Sequence, residues 1–394
     1  LSLDTLSLYI HLPFCQRKCA YCDFNSYAGL GHLFILYVRA LVAEIAIAGQ
    51  RWHHPTVETI YLGGGTPTLL SPDLLGDILV ACRQTFAVHP NAEITCEANP
   101  GTVDRQRFAD LRCLGVNRLS LGVQSFEDDE LRFLGRVHTV NEAEAAFYAA
   151  RAVGFANINL DLIFGLPRQR RGTWRRTLCR AIVLAPEHLS LYALSVEEGT
   201  PLAREVAEGH VPLPDDDLAA DFYLIASDEL AGAGYVHYEI SNWARNEVDE
   251  PGGAGVSPGF SCRHNLTYWH NGSYLGFGAG AHSSLDGRRW WNVCVPAEYI
   301  ERLEKVQSPV AGSEKIDEPL VMAESMMLGL RLVQEGVSYD AFERRFGHSL
   351  LHVYGGEIAA LEAAGLLERL PDRIRISKRG RLLGNQVFVR FLPS

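Results

Sequence analysis

Three cysteines fall within eight residues, Cys15-x3-Cys19-x2-Cys22, after the run Tyr9-Ile10-His11-Leu12-Pro13-Phe14. Thiolates this close in one loop can hold a single metal centre, since soft sulfur suits zinc or iron–sulfur. A structural zinc site takes four ligands, and His11 is the local candidate for the fourth. Against zinc, such modules use paired Cys-x2-Cys or His-x3-5-His arms, and His11 sits inside a strand pattern. A four-iron cluster fits better, with three irons anchored by protein and the fourth left for a ligand. The other six cysteines (Cys82, Cys96, Cys113, Cys179, Cys262, Cys294) are scattered singly. They read as small hydrophobes, not as a disulfide framework.

A second constellation follows the strand pattern that ends at Leu62: Gly63-Gly64-Gly65-Thr66-Pro67-Thr68. Glycines lack Cβ and let backbone approach a ligand closely, and Thr66 adds a hydroxyl. A phosphate loop would need Gly-Lys-Ser/Thr, and no lysine follows. The other bland reading is an ordinary Gly-Pro turn. A triple glycine one strand after a cysteine cluster is better explained as a ligand seat.

These groups need a frame. Short β-rich runs recur at Ser7–Leu12, Glu58–Leu62, Glu93–Glu97, Arg118–Gln124, Asn157–Phe164, His188–Leu194 and Tyr235–Ile240. Between them lie Leu33–Ala48, Pro72–Phe86, Val103–Leu114, Asn141–Val153, Thr173–Ala185 and Leu218–Ala231, apolar at three- and four-residue spacing. Strand alternating with helix means βαβ units and a parallel sheet. Six such units are fewer than the eight of a closed barrel, so the expected fold is α/β, a partial (β/α)6 TIM-like barrel over residues 1–243. In such barrels chemistry gathers at the C-terminal strand ends, which nominates Gly63–Thr68, Glu97, Gln124 and Asp161. Residues 244–295 form a linking region that includes the Gly/Pro-rich acidic stretch Asn246–Gly259, read as a loop. Residues 296–394 read as a mostly helical, winged-helix-like domain: Pro296–Val306, Glu318–Val333, Tyr339–Phe346 and Glu357–Ala364, then β-like runs at Arg373–Ile376 and Gln386–Phe391.

Against 47 Asp+Glu stand 36 Lys+Arg, a formal charge of −11, which argues against nucleic acid as a partner despite the winged shape. A hydrophobic share of 47% excludes a disordered chain. The most apolar segment, Leu33–Ala48, is interrupted by Arg39 and Glu44 and reads as a core-facing helix, not a membrane span. With no signal peptide visible ahead of Tyr9, the expectation is a cytoplasmic protein.

The spacing Cys-x3-Cys-x2-Cys after a first strand is the signature of radical S-adenosylmethionine (SAM) proteins. The run YIHLPFCQRKCAYCDF, then GGGTPT, ITCEANP, GVQSF, LGRVHT and NLDLIFGLP, resembles oxygen-independent coproporphyrinogen III oxidase and its relatives, from Tyr9 to nearly the end. The resemblance implies that Cys15, Cys19 and Cys22 bind a [4Fe-4S] cluster. It also implies that Tyr9 and Tyr21 line a SAM pocket and that Gly64, Gly65 and Thr66 meet the methionyl part. Glu97 would accept hydrogen bonds from the ligand, and Gln124, Arg136 and Asp161 match further SAM-contacting positions, some of which hold a second SAM in the oxidase.

Two branches of the family differ in class. The oxidase carries a fourth cysteine two residues after the third, where this chain has Asp23-Phe24, and a long arm ahead of the cluster, where 14 residues precede Cys15. Both departures, with His264-Asn265-Leu266-Thr267-Tyr268-Trp269, are similar to the HemW-type heme chaperone branch. In that branch the HNxxYW motif is associated with heme, which makes His264 an axial-ligand candidate and Tyr268 and Trp269 candidates to stack on the porphyrin. The residues alone favour a core turn with an aromatic plug. His282, in the run Tyr274–His282 that also resembles this branch, is a second ligand candidate, and the 246–259 stretch, an insertion beside the motif, would alter heme entry. The branch implies heme transfer to an apo-hemoprotein acceptor, including respiratory, membrane-bound ones, an electron donor, and peripheral contact with the membrane. Coproporphyrinogen oxidation is not expected of it.

Overall fold

The computed structural model describes residues 5–52, 55–247 and 257–393. Six strands carry the expected frame: β1 (Leu6–Leu12), β2 (Thr56–Gly64), β3 (Ala87–Ala98), β4 (Arg118–Gln124), β5 (Ile158–Phe164) and β6 (His188–Ala193). Helices α1 (Phe34–Trp52), α2 (Pro72–Thr85), α3 (Arg105–Cys113), α4 (Asp128–Leu134), α5 (Val140–Ala152) and α6 (Arg171–Leu184) run between them. All neighbours pair in parallel and in chain order, with Leu8 opposite Ile60, Ile60 opposite Ile94, Leu121 opposite Leu160 and Leu160 opposite Leu189. The ring does not close. The free edge of β1 instead takes a seventh parallel strand, β7 (Tyr274–Phe277), which continues into β8 (His282–Leu285), β9 (Arg288–Asn292) and β10 (Val310–Lys315). The partial barrel expected from the βα rhythm is the fold observed.

Strand alternation sorts these residues onto two faces. One face is aliphatic: Leu6, Leu8, Ile10 and Leu12 in β1, Leu119, Leu121 and Val123 in β4, and Ile158, Leu160 and Leu162 in β5 are all buried. Each such side chain contributes about 1.5–3 kcal/mol relative to exposure. The alternate positions are polar and also buried: Ser7, Thr59, Thr95, Arg118, Asn159 and His188. Four of them are joined by hydrogen bonds, whereas the atoms Thr95 Oγ1 and Arg118 Nε are buried without a hydrogen-bond partner among the described residues. Thr59 donates to Ser7 Oγ at 2.8 Å, Asn159 Nδ2 donates to Ser120 Oγ at 2.7 Å, and His188 Nδ1 lies 2.7 Å from Asn159 Oδ1. An eight-stranded barrel fills its interior with branched aliphatics; this one carries a hydrogen-bonded layer there.

Helix boundaries follow their caps. Ser71 accepts from Leu74 N ahead of Pro72, and Thr139 and Glu142 close a capping box at the start of α5. Helix α4 is not evident from the sequence pattern because its first turn is Asp128-Asp129-Glu130 and only Leu131 and Leu134 are buried. The segment 31–49 is apolar and long enough to cross a membrane by composition, with mean hydropathy 1.7, yet it packs Tyr37, Leu41 and Ile45 into the core.

By its contacts the chain forms two units, residues 1–226, 273–285 and 289–314 in the first, and 227–272, 286–288 and 315–394 in the second. The second unit is built on helices Glu318–Gly329, Tyr339–Phe346 and Leu350–Ala363 around Met326, Leu330, Phe342, Ile358, Ile374 and Phe388. Its wing is an antiparallel trio, Val337–Ser338, Arg373–Ile376 and Leu367–Arg369. The expected strand Gln386–Phe391 is instead helical, because Val387, Phe388 and Phe391 bury at helical rather than alternating spacing. Most of the 246–259 stretch, residues 248–256, lies outside the described residues.

Candidate functional site

The cysteine loop leaves β1 and closes on itself, with Phe14–Cys15 pairing in parallel with Tyr27–Ala28. Asn25 pins it from behind, donating from Nδ2 to the carbonyls of Ala279 and Cys294 at 3.0 Å each. His11 Nε2 donates to Asn25 O at 2.9 Å, so Nδ1 carries the lone pair and accepts from the Tyr9 hydroxyl at 3.0 Å. Both ring nitrogens are therefore spent. His11 is a brace under the loop and does not serve as the fourth ligand of a zinc site.

Cys15, Cys19 and Cys22 are half-buried free thiols. Burial pushes the Cys15 and Cys22 thiols above their ordinary range. Each sulfur has a polar companion: Thr66 Oγ1 at 3.9 Å from Cys15, Arg136 Nη1 at 3.5 Å from Cys19 and Ser26 Oγ at 3.9 Å from Cys22. One zinc at about 2.3 Å from each sulfur would draw the sulfurs to about 3.8 Å of one another. Among the described residues the only His/Cys/Asp/Glu group whose ligand atoms all lie within 4.8 Å is the exposed trio Glu205, Glu208 and His210. The three sulfurs are thus spread wider than a single tetrahedral ion needs, and the donor set fits a larger, thiolate-bound cluster.

The glycine loop is packed to the limit. At Gly64, with φ +112°, a Cβ would stand 2.5 Å from the His11 ring, and at Gly65 it would stand 2.4 Å from Phe14 O. The loop amides are consumed inside the protein: Gly64 N donates to Glu97 Oε2 at 3.0 Å, Gly65 N to Leu12 O at 2.9 Å and Thr66 N to Phe14 O at 2.6 Å. No anion nest remains there, which disposes of the phosphate-loop reading. What the loop does is lock β2 against the first residue of the cysteine loop.

Glu97 and Asp161 face each other across the mouth of the barrel. Tyr61 donates to Glu97 Oε1 at 2.9 Å, while Ser120 and Asn159 donate to Asp161 at 3.0 and 2.8 Å. Burial first, then the Asp161 charge, raises Glu97 to about 7, and burial likewise raises Asp161. Gln124 ends β4 in the left-handed region at φ 68°, where the register with β5 shifts. Arg136 follows Gly135, the left-handed residue that stops α4, and donates to Gly122 O at 2.8 Å and to Asn99.

These groups line one cavity of about 490 Å³ with Cys15, Cys19, Tyr21, Cys22, Gly64, Gly65, Glu97, Gln124, Arg136 and Asp161 all on its wall. Its size is that of a cofactor or small-molecule site. Two expected members stand behind the wall. The Tyr9 hydroxyl is turned to His11, and Thr66, 2% exposed, accepts from Asn99 Nδ2 at 2.6 Å. Sequence reasoning passed over Tyr61, Asn99, Ser120 and Tyr192, which also face the cavity. Period-two alternation was the available signal, since Asn99 is two residues beyond Glu97 and Ser120 four before Gln124.

In the second unit the HNxxYW residues form a short helix, Arg263–Trp269. His264 is 1% exposed, and its Nε2 lies 2.9 Å from the Tyr268 hydroxyl, ring edge to ring face. Trp269 lies under the Arg331 guanidinium, 4.4 Å from its ring centre. His282, in the first unit, is exposed.

Comparison with known proteins agrees with this geometry. Residues 9–178 match the Radical SAM superfamily and residues 316–383 the HemN C-terminal domain. The solved structure of coproporphyrinogen III oxidase (HemN) from Escherichia coli superposes over 98% of this chain and 90% of its own with a TM-score of 0.83 at 23% identity, a likeness of fold. The fold and site define a radical SAM protein with a HemN-type C-terminal domain. Heme chaperone HemW of Mycobacterium tuberculosis is 40% identical over 386 residues, 96% of this chain and 93% of that protein, and HemW of Bacillus subtilis is 36% identical over 387 residues, 98% and 99%. The chain belongs to the HemW heme chaperone family.

Proposed function

We propose that this chain handles heme: it carries a [4Fe-4S] cluster on Cys15, Cys19 and Cys22, binds SAM in the cavity beside them, and delivers heme to an apo-hemoprotein in the cytoplasm or at the membrane surface. The observation that carries the reading is the convergence of three thiols, two carboxylates, Gln124 and Arg136 on one cavity, in a chain akin to HemW over its length. When bound, the cluster supplies an electron and an iron site for the amino and carboxylate groups of SAM.

The protein's own residues do the rest. Glu97 and Asp161 offer acceptors for hydroxyl and amino groups, and the tight glycine loop fixes the Glu97 position through Gly64 N. Arg136 sets a positive charge against Cys19. The HNxxYW helix supplies heme contacts through His264, Tyr268 and Trp269, and His264 has to leave the Tyr268 hydroxyl before it can meet iron.

The oxidase reading is weakened at Phe24, which stands 65% exposed at the cavity where the oxidase has its fourth cysteine. The test is anaerobic purification with iron, sulfide and heme quantified together. About four irons per chain and stoichiometric hemin uptake are expected, with no protoporphyrinogen formed from coproporphyrinogen III. Turnover of that substrate would replace the chaperone reading with the oxidase one, and an iron-free protein would remove both.

A further inference from the structure

The first unit carries an exposed imidazole on a fixed aromatic flank. His282 opens β8 and stacks on Trp291 of β9, ring centres 5.8 Å apart and planes at 24°. Trp291 is held flat because Gly312 of β10 has no side chain: a Cβ there would stand 2.4 Å from the indole. Beside the pair, Arg289 Nη1 lies 3.1 Å from Glu314. The charged groups facing His282 are these two; partial burial first, then the Arg289 charge, holds the imidazole below its ordinary range against the opposing Glu314. Its neutral form, with a lone pair to give, therefore prevails at neutral pH.

We propose that His282 is by itself an axial ligand for heme iron, an alternative to His264, with Trp291 packing against the porphyrin edge. This deepens the heme-handling reading and rests on it.

The chemistry selects the ligand. A bare metal ion needs several protein donors, and among the described residues His282 shares no metal-sized cluster with another His, Cys, Asp or Glu. A porphyrin brings four nitrogens of its own and asks the protein for one axial donor, a flat apolar flank and a counter-charge for its carboxylates. His282 and Trp291 supply the donor and the flank, and Arg289, paired with Glu314, is the cation beside them. Accessibility points the same way. His264 is 1% exposed with Nε2 at the Tyr268 hydroxyl, whereas the His282 ring makes no side-chain hydrogen bond among the described residues and is exposed. Of the two histidines, His282 can meet heme without rearrangement of its surroundings.

The experiment is an anaerobic hemin titration of the full chain, followed by its Soret band and by electron paramagnetic resonance, in the parent protein, His264→Ala and His282→Ala. Because His282 is exposed, its removal leaves the fold intact, which circular dichroism checks. Expected is at least a tenfold weaker hemin affinity for His282→Ala, with loss of the parent's imidazole-ligated Soret and resonance signature. A His282→Ala protein that titrates like the parent overturns the inference while leaving the heme reading in place. A parent protein that gives no Soret shift removes the heme reading and this inference together.

Discussion

Arg136 Nη1 points at Cys19 Sγ across 3.5 Å while Nη2 of the same guanidinium is anchored on Gly122 O and Asn99 Oδ1. The residue is held from both sides: Gly135 turns the chain out of α4 in the left-handed conformation, and Arg136 N donates to Leu131 O at 2.9 Å. A guanidinium fixed beside a sulfur ligand favours the more negative, reduced state of whatever that sulfur holds. Replacing Arg136 by Met is expected to lower the cluster's midpoint potential by on the order of tens of millivolts without loss of iron. Redox titration of reconstituted protein, with iron assayed in parallel, decides it; an unmoved potential at full iron content would assign Arg136 to the loop's architecture alone.

Glu97 makes ligand binding depend on pH. Burial, with the Asp161 charge behind it, holds its carboxyl at about 7, so it is largely protonated at pH 6 and ionised at pH 8. Only the ionised form is a pure acceptor. SAM affinity is therefore expected to rise by roughly fivefold to tenfold between pH 6 and pH 8. Glu97→Gln should bind more weakly at pH 8 and show a flat profile. Equilibrium dialysis on cluster-loaded protein at both pH values measures this, and parallel profiles for the two proteins would take the pH dependence away from Glu97.

Strand periodicity placed Glu97 near the end of β3, but Asp161, expected at a strand end, lies midway along β5; Asn159 shares its strand face two positions away, and Asn99 follows just past the end of β3. The cysteine spacing gave the donor set, and the structure added that both nitrogens of His11 are occupied. The sealed state of His264 was readable in principle, since residues 264 and 268 are one helical turn apart and helical neighbours at that spacing touch. Two features were beyond reach. The left-handed backbone of Gln124 arises from a register shift between β4 and β5, a tertiary event. The helical end of the chain depends on the core that receives Val387, Phe388 and Phe391.

Tyr268 is the latch on His264. Its hydroxyl, 2.9 Å from Nε2, competes with any iron for the same lone pair or fixes the proton that blocks it. In a His282→Ala background, where His264 is the remaining candidate ligand, Tyr268→Phe is expected to tighten hemin binding about fivefold, the net worth of about 1 kcal/mol for one hydrogen bond. Hemin titration compares the single and double variants. Weaker binding in the double variant would mean that the Tyr268 hydroxyl helps to hold heme.

Gln124 sits at φ 68°, a conformation that costs an L-residue with a Cβ about 1 kcal/mol and glycine almost nothing. A side chain kept in that state at the rim of a cavity is positioned there by the backbone, which predicts that stability and binding separate on substitution. Gln124→Gly should be more stable than Gln124→Ala by about 1 kcal/mol in chemical denaturation, because both lose the amide and only alanine keeps the strain. Both should lose SAM affinity to the same extent, because the amide is what faces the cavity. If alanine proves as stable as glycine, the left-handed geometry relaxes when the side chain is shortened, and the amide's own contacts, not the register shift, are what impose it.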